Sequence, residues 1–519
     1  MRTTVFAASI LLLLSCAGTN AYGGRQRADT RPHRTADEWA RGAVFYEIFV
    51  RSFADSNGDG IGDFNGLTSK LDYLNDGNPA TNTDLGIDGI WLMPIFQSPS
   101  YHGYDTTDYE IIESDYGTNA DFQRFLDEAH RRGIRVIIDF VANHTSNEHP
   151  WFIESASSTS SPKRDWYVWS PADPGWKQPW GGNDPSWHPR NGAYYYGAFW
   201  SGMPDLNFRN AEAKAEMFRL ARYWIAQGVD GYRLDATRYL VETGPGESGQ
   251  ADTAETHQTL RELAAAVRSV RADAMLVAEN TVGIAALARY YSSMPMNFNF
   301  PLASAIIDGV NRGNADGIRQ TLREILRLYP AGVIDTPFLT NHDQTRIATV
   351  LGNDDGKLRN AAAILLTLPG TPFLYYGEEV GLDNGPQPVD EDKRTPMPWT
   401  SSGGFSTRAP WRSYSPGIAR DNVATQTGDP NSLLSWYRSL ITARKASLAL
   451  RKGDITLLDS GPQVLAYLRQ SGTERVLVAH NLSGMDASVV VPDLSLGETL
   501  FGSGTLELPP HGSGVWRVQ

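Results

Sequence analysis

With a single cysteine in 519 residues the chain cannot form an internal disulfide, so its stability must come from a packed core or a bound ion. Cations are in deficit. There are 46 Lys and Arg against 59 Asp and Glu, a formal net charge of -13. A surface made to grip nucleic-acid phosphates or an anionic lipid sheet needs clustered positive charge, so the balance argues against both as partners. It leaves neutral or cationic ligands. Aromatic residues are plentiful, with 14 Trp, 22 Tyr and 19 Phe. Flat rings with polar edges suit the apolar faces of sugars, although they fill cores equally well.

Long apolar runs are scarce as well. The clearest, Val5 to Leu14, follows Arg2, is too short to span a bilayer and reads as a signal peptide. Leu13-Leu14-Ser15-Cys16 resembles the bacterial lipobox, in which the cysteine becomes the lipid-carrying N-terminus; the other reading has cleavage after Thr19-Asn20-Ala21. On the lipobox reading residues 1–16 are signal peptide and lipobox, and Cys16 is the lipid attachment. Residues 17–37, polar and rich in Arg, Gly and Thr, form a flexible tether. The protein is then exported and held at the bacterial cell surface, touching membrane only through that anchor; on the other reading it is extracellular.

From about Ala43, short β-branched or aromatic runs alternate with amphipathic stretches, the pattern of βα units on a parallel sheet. Eight strands are expected: Val44–Val50, Ile87–Met93, Arg135–Phe140, Gly231–Asp235, Ala274–Ala278, Asn297–Phe300, Pro337–Thr340 and Phe373–Tyr376. Helical spacing near 3.6 runs through Ala120–Arg132, Ala211–Gln227, Gln258–Val270 and Ala315–Leu328. The fold class is therefore α/β, a (β/α)8 barrel over residues 38–445. About sixty residues rich in Trp, Pro, Gly and Ser follow Asn143-His144. They are too many for a structureless loop and read as an inserted domain, 145–205, after strand 3. Past Ala446 short alternating runs, Val464–Leu468, Arg475–His480 and Ala487–Val491, indicate a C-terminal antiparallel β domain of sandwich type over 446–519.

In such a barrel functional side chains gather at the C-terminal strand ends, where the βα loops converge. Four strands end in ionisable groups: Asp139-Phe140-Val141-Ala142-Asn143-His144, Gly231-Tyr232-Arg233-Leu234-Asp235, Val277-Ala278-Glu279-Asn280 and Leu339-Thr340-Asn341-His342-Asp343. Acids at the ends of apolar strands are costly to bury, so packing alone is a poor reason for four of them. Arg233 shares a strand face with Asp235 and can keep it ionised, while crowding by Asp235 and Asp343 would favour a protonated Glu279.

These blocks, in this order, resemble the α-amylase family of glycoside hydrolases, and the likeness covers nearly the whole chain after Trp39. It implies that Asp235 is the nucleophile, Glu279 the general acid/base and Asp343 the transition-state stabiliser, which fits the need of retaining cleavage for one protonated carboxyl at the leaving oxygen and one carboxylate below the anomeric carbon, about 5 Å apart. It further implies that Tyr104, in Tyr101-His102-Gly103-Tyr104-Asp105, stacks on the sugar being cleaved. His102, His144 and His342 would bond its hydroxyls, with Asp139 and Arg394 in support.

A second motif, Asp55-Ser56-Asn57-Gly58-Asp59-Gly60-Ile61-Gly62-Asp63, places oxygen side chains at alternate positions, as does the first half of an EF-hand loop, but its twelfth position is Gly66 instead of Glu. It resembles a calcium loop of oligosaccharide-cleaving family members, so Asp55, Asn57, Asp59, Ile61 and Asp63 are expected to hold calcium. Asn143 resembles a ligand of another calcium site whose partners the sequence does not reveal.

Met203-Pro204-Asp205-Leu206-Asn207 resembles bacterial α-amylases intermediate between typical α-amylases and oligo-1,6-glucosidases. Ala236, where members preferring α-1,6 bonds tend to carry Val, implies α-1,4 specificity. Arg238-Tyr239 replaces the Lys-His of typical α-amylases, which weakens the expectation of contacts to a long leaving chain. The expectation is endo-hydrolysis of starch and maltooligosaccharides. The alternatives are an α-glucosidase or glucosyl transferase of the same fold, and a non-catalytic starch-binding lipoprotein.

Overall fold

The computed structural model describes residues 39–491 and 494–519; the Cys16 lipobox and the tether lie outside the described residues. Eight parallel strands form one sheet: β1 (Phe45–Ile48), β2 (Gly89–Leu92), β3 (Arg135–Phe140), β4 (Gly231–Leu234), β5 (Met275–Ala278), β6 (Met296–Phe298), β7 (Ile334–Thr336) and β8 (Phe373–Tyr375). Neighbours follow chain order from β1 to β7, and β8 pairs with the outer side of β1. The ring closes where Phe338, just past β7, bridges Phe373 and Pro337 accepts a hydrogen bond from the Phe373 N–H. The seventh strand thus begins three residues before the expected Pro337, with Ile334 and Thr336 facing the core and Asp335 between them.

Strand alternation sorts the side chains. Phe45, Trp91, Ile137, Met275, Val277, Met296, Phe298 and Phe373 meet in a cluster inside the barrel. Their neighbours Tyr46, Ile90, Val136, Ile138, Tyr232 and Leu276 pack outward under the helices. The inward register is kept further up each strand, where Glu47, Asp139, Arg233 and Glu279 replace apolar residues. Two glycines make the lower barrel fit: a Cβ on Gly89 would lie 2.4 Å from the Phe45 ring, and one on Gly231 2.0 Å from the Met275 carbonyl.

The helices begin at polar caps. Thr118 and Asp121 form a reciprocal capping box at Asn119–Arg131, and Asn210 caps Ala211–Ala226. The helix expected from Gln258 begins a turn earlier, Ala254–Val270, because Thr253 caps it through the Thr256 N–H. Its first turn carries no apolar stripe, so periodicity alone starts it late.

Residues 145–205 contain the helix Pro150–Ser157 and a three-stranded antiparallel sheet of Trp169–Ser170, Ala193–Tyr196 and Trp187–Arg190. They are tied to the barrel by the His144–Asp205 and Tyr167–Leu206 bridges. At the C-terminus, five antiparallel strands between Asp454 and Val518 form a sheet beside a two-stranded ribbon of Ala487–Ser488 and Glu507–Leu508. One face, with Val464, Ala466, Leu477 and Trp516, packs on Val489 and Leu508. The other, with Leu465, Tyr467 and Val478, joins the main core. Arg469 ties this sheet to the barrel by donating to the Thr367 carbonyl, and Arg444, on the helix Leu433–Ala446, donates to those of Leu366 and Leu368; the three carbonyls close the helix Asp355–Thr367.

Candidate active site

Arg233 is the hub of the carboxylate cluster. Its side chain, 1% exposed, donates from Nη1 to Asp139 Oδ1 at 2.9 Å and to Asp235 Oδ1 at 2.6 Å, while Nη2 lies 2.9 Å from Glu279 Oε2. Parity explains the meeting: β3, β4 and β5 lie in register with Asp139 opposite Arg233 and Val277 beside it, so Asp139, Arg233 and Glu279 all point inward. Trp91 underlies the guanidinium, with Cζ 5.2 Å from its ring centroid. Arginine fits the role because one planar fork serves several carboxylates and cannot lose its charge.

The turn after β4 starts at Ala236, whose φ of 51° is left-handed. The single hydroxyl proton of Thr237 is then shared between the Glu279 carbonyl at 2.7 Å and Asn280 Oδ1 at 2.6 Å, and Asn280 donates onward to Asn297 at 2.7 Å. This chain fixes the end of β5, and with it Glu279.

Burial lifts the Glu279 carboxyl to about 7; Arg233 opposes the shift, and Asp235 and Asp343 add to it. Desolvation therefore outranks the crowding expected from sequence, and it acts against an arginine that serves both acids. Asp343 stands at the rim, its side chain 51% exposed. Desolvation would raise it, but His342 and Arg394 outweigh that and hold it below the ordinary carboxylate range. Arg394 Nη2 donates to Asp343 Oδ1 at 3.0 Å, Nη1 to the Tyr101 hydroxyl at 3.1 Å, and Nε to the His342 carbonyl at 3.1 Å.

His342 is buried, with Nδ1 2.6 Å from Glu47 Oε1 and Nε2 2.6 Å from the Tyr104 hydroxyl. Burial opposes a charged ring, but Asp343 and Glu47 prevail and raise its pKa. Tyr104 donates to Asp139 Oδ2 at 3.0 Å and lies parallel to His342, centroids 5.5 Å apart. His102 is held by Ser100 and by the Tyr104 N–H, so its Nδ1 faces protein. His144 is buried with no partner at Nε2 among the described residues, and burial lowers its pKa.

Several residues at the site escaped sequence reasoning. Glu47 is the sole charge in the run from Phe45 to Val50, a readable anomaly. Asp390, on the Tyr101 hydroxyl and Arg394, carries no such signal. Asp205 is the partner of Asn143, accepting from its Nδ2 at 3.0 Å, while Asn143 Oδ1 has no partner among the described residues; the two are sixty-two positions apart.

In the Asp55–Asp63 loop the oxygens serve the loop's own N–H groups. Asp55 accepts from Gly58 at 2.7 Å and Gly60 at 2.9 Å, Asn57 from Asp59 at 2.8 Å, and Asp59 from Ile61 at 2.8 Å. Asp63 accepts from Ser56 and from Gly66, both at 2.8 Å, and caps the helix Phe64–Ser69. Among the described residues no three acidic, His or Cys side chains converge on a ready-made metal site. The donor set, carboxylates, an amide and a main-chain carbonyl within nine positions, is the hard-oxygen chemistry that calcium takes.

A closed eight-stranded barrel whose interior acids share one arginine at the C-terminal rim defines a glycoside-hydrolase class of site. The chain belongs to the α-amylase family: residues 47–453 match the α-amylase catalytic domain, and residues 464–515 match the C-terminal domain of the α-amylase SusG. It is 41% identical to α-amylase 3 of Dictyoglomus thermophilum over 88% of this chain and 87% of that one. It is also 36% identical to a trehalose synthase of Pimelobacter sp., over 86% and 87%, and 32% identical to an oligo-1,6-glucosidase of Parageobacillus thermoglucosidasius, over 88% and 92%. The solved structure of an α-amylase from H. orenii superposes with a TM-score of 0.84 at 38% identity, covering 92% of this chain and all of that one.

Proposed function

We propose that this glycoside hydrolase cleaves internal α-1,4-glucosidic bonds of starch and maltooligosaccharides with retention of configuration. The observation that carries the mechanism is the single guanidinium of Arg233, which meets Asp235 on one nitrogen and Glu279 on the other. Two carboxyls held by one planar fork are compatible with the roughly 5 Å spacing of retaining pairs. Asp235 attacks the anomeric carbon as Glu279 gives its proton to the leaving oxygen. Glu279, now ionised, takes a proton from water, which releases the sugar from Asp235. The charge of Asp343 stabilises the oxocarbenium-like transition state, and His342 and Tyr104 orient the ring from beside it.

Ala236 at the leaving side and the relative named α-amylase support the α-1,4 assignment. Arg238 favours a second reading, an α-glucosidase or glucosyl transferase on short substrates, because its engagement with Glu247 and Asp252 leaves it no reach to a long chain. Products from maltoheptaose and from matched α-1,6 oligosaccharides decide between them. Internal cleavage to several maltooligosaccharides is expected; glucose alone would sink endo action, and products longer than the substrate would show transfer. A barrel kept only as a starch-binding scaffold would have no need of three acids around one arginine.

Calcium in the Asp55–Asp63 loop and lipidation at Cys16 complete the proposal. The loop's donor chemistry supports the first and the Leu13–Cys16 tetrad the second. Replacing Cys16 with Ser should release the protein from the membrane fraction; unchanged partitioning would refute the anchor.

A further inference from the structure

From Phe405 to Arg412 the described chain runs without helix or strand, so contacts alone fix its course. Its main chain lies along the Asp55–Asp63 loop: the Asp55 N–H donates to the Phe405 carbonyl at 3.0 Å and the Trp411 N–H to the Gly60 carbonyl at 2.8 Å. The approach is so close that a Cβ on Gly60, whose φ is 97°, would stand 2.5 Å from the Ala409 carbonyl oxygen. Pro410 stiffens the last step, because its ring fixes φ and disfavours a helical residue before it. The segment is a short strap with a defined exit at Trp411.

The two side chains at that exit grip the elements that carry Arg394. Trp411 stacks on Tyr101, with centroids 5.5 Å apart and planes at 28°, and meets Phe49 edge-on at 6.0 Å. Its Nε1 donates to Ser52 Oγ at 3.0 Å, and that hydroxyl donates to the Arg394 carbonyl at 2.5 Å. Arg412 donates from Nε to the buried carboxylate of Asp392, which shares the short turn Asp390–Arg394 with Arg394 itself. Arg394 is therefore held on its main chain through Ser52, on its turn through Asp392 and on its guanidinium through Tyr101 and Asp390.

Asp343 needs such backing. Its side chain is half exposed, and a guanidinium on a freely rotating stem would readily give it up to water, since an exposed ion pair gains little and costs rotamer freedom. A guanidinium fixed from behind keeps its place.

We propose that Trp411 and Arg412 are positioning residues, which hold Arg394 against Asp343 from outside the carboxylate cluster and so set how well the stabilising charge is placed in the transition state. The proposal rests on the hydrolase reading above. Both residues act at one remove, through Tyr101, Ser52 and Asp392.

The test measures kcat, KM and Tm of the full chain on a chromogenic maltooligosaccharide across pH. Trp411→Ala should lower kcat about tenfold with KM within about twofold of wild type, because a misplaced stabiliser weakens the transition state more than the bound substrate. His342, Arg394, Arg233 and Lys393 all hold Asp343 ionised, so with Arg394 loosened the acid limb of kcat should move up by about half a pH unit. Trp411→Phe keeps a ring on Tyr101 and should bring kcat back to within about threefold of wild type. Arg412→Met, at a side chain 27% exposed, keeps the stem and should lower kcat about threefold with the limb displaced in the same direction. If Trp411→Ala does not fold, Arg412→Met decides. An unchanged kcat and acid limb, whatever the Tm, would make the strap merely structural and overturn the proposal, as would a loss carried by KM alone. A wild-type protein inert on the maltooligosaccharide would instead refute the hydrolase reading.

Discussion

The two flanks of the carboxylate cluster are built from different physics. On the Asp343 side, Tyr104, His342, Glu47 and Arg394 all come from barrel strands or their loops and are joined by short, directional bonds, that of His342 to Glu47 buried and the others part-buried. On the Glu279 side, Trp180, Phe199 and Tyr239 present ring faces to a half-open cleft, two of them from the inserted domain. Directional bonds hold a ring in one orientation, because each misplaced hydroxyl leaves a buried group unpaired. Stacking discriminates weakly, since ring faces accept many sugars. The donor flank is thus suited to strict recognition and the leaving flank to variable partners.

Removing the acids breaks the comparison most severely. Asp235→Asn and Glu279→Gln should each lower kcat/KM on a chromogenic maltooligosaccharide by about 10⁴-fold. Glu279→Gln should retain far more activity on α-maltosyl fluoride, whose departure needs no proton. Unchanged hydrolysis of the chromogenic substrate in both variants would refute the mechanism.

Arg233→Met removes the group common to both flanks and leaves Asp139, Asp235 and Glu279 buried without their cation. Loss of one partner from such a network costs about 3–5 kcal/mol, so Tm should fall by several degrees along with near-complete loss of turnover. A variant as stable and active as wild type would show that the acids do not depend on the hub.

A smaller effect concerns pH. Glu279 must carry its proton to serve as acid, and burial lifts it to about 7, so activity should be lost as pH rises through that value. Asp343 contributes to that lift. Asp343→Asn should therefore move the alkaline limb to lower pH in whatever activity survives; a shift upward would contradict the assignment of the limb to Glu279.

The smallest expected change lies away from both flanks. If calcium seats in the Asp55–Asp63 loop, chelation should lower Tm by a few degrees and Asp59→Ala should abolish the difference. Equal melting curves with and without chelator would leave the loop as an Asx-turn structure closed on its own N–H groups.

Much of this was legible beforehand where local pattern and function coincide. Arg135–Phe140 reads as a strand by its apolar run and is one with the same bounds, and Asp139 and Glu279 stand out because they follow apolar runs without interruption. What stayed hidden depends on contacts with no periodicity. Asp390 reaches Tyr101 across 289 positions, and Trp180 meets Tyr239 only because the inserted domain folds over the barrel mouth. The helix before Gln258 was hidden for a different reason: its signal is a cap, not a stripe.

Strand alternation, written in the sequence, determined that Asp139, Arg233, Asp235 and Glu279 face one interior, since every second residue of a strand shares a face. It determined likewise that Glu47 and Trp91 join them. Tertiary structure decided how charge is shared there. Closure of the barrel put a single guanidinium within bonding distance of three carboxylates and withdrew Glu279 from water far enough to raise its carboxyl to about 7, because desolvation is set by what surrounds a group and not by its neighbours in the chain.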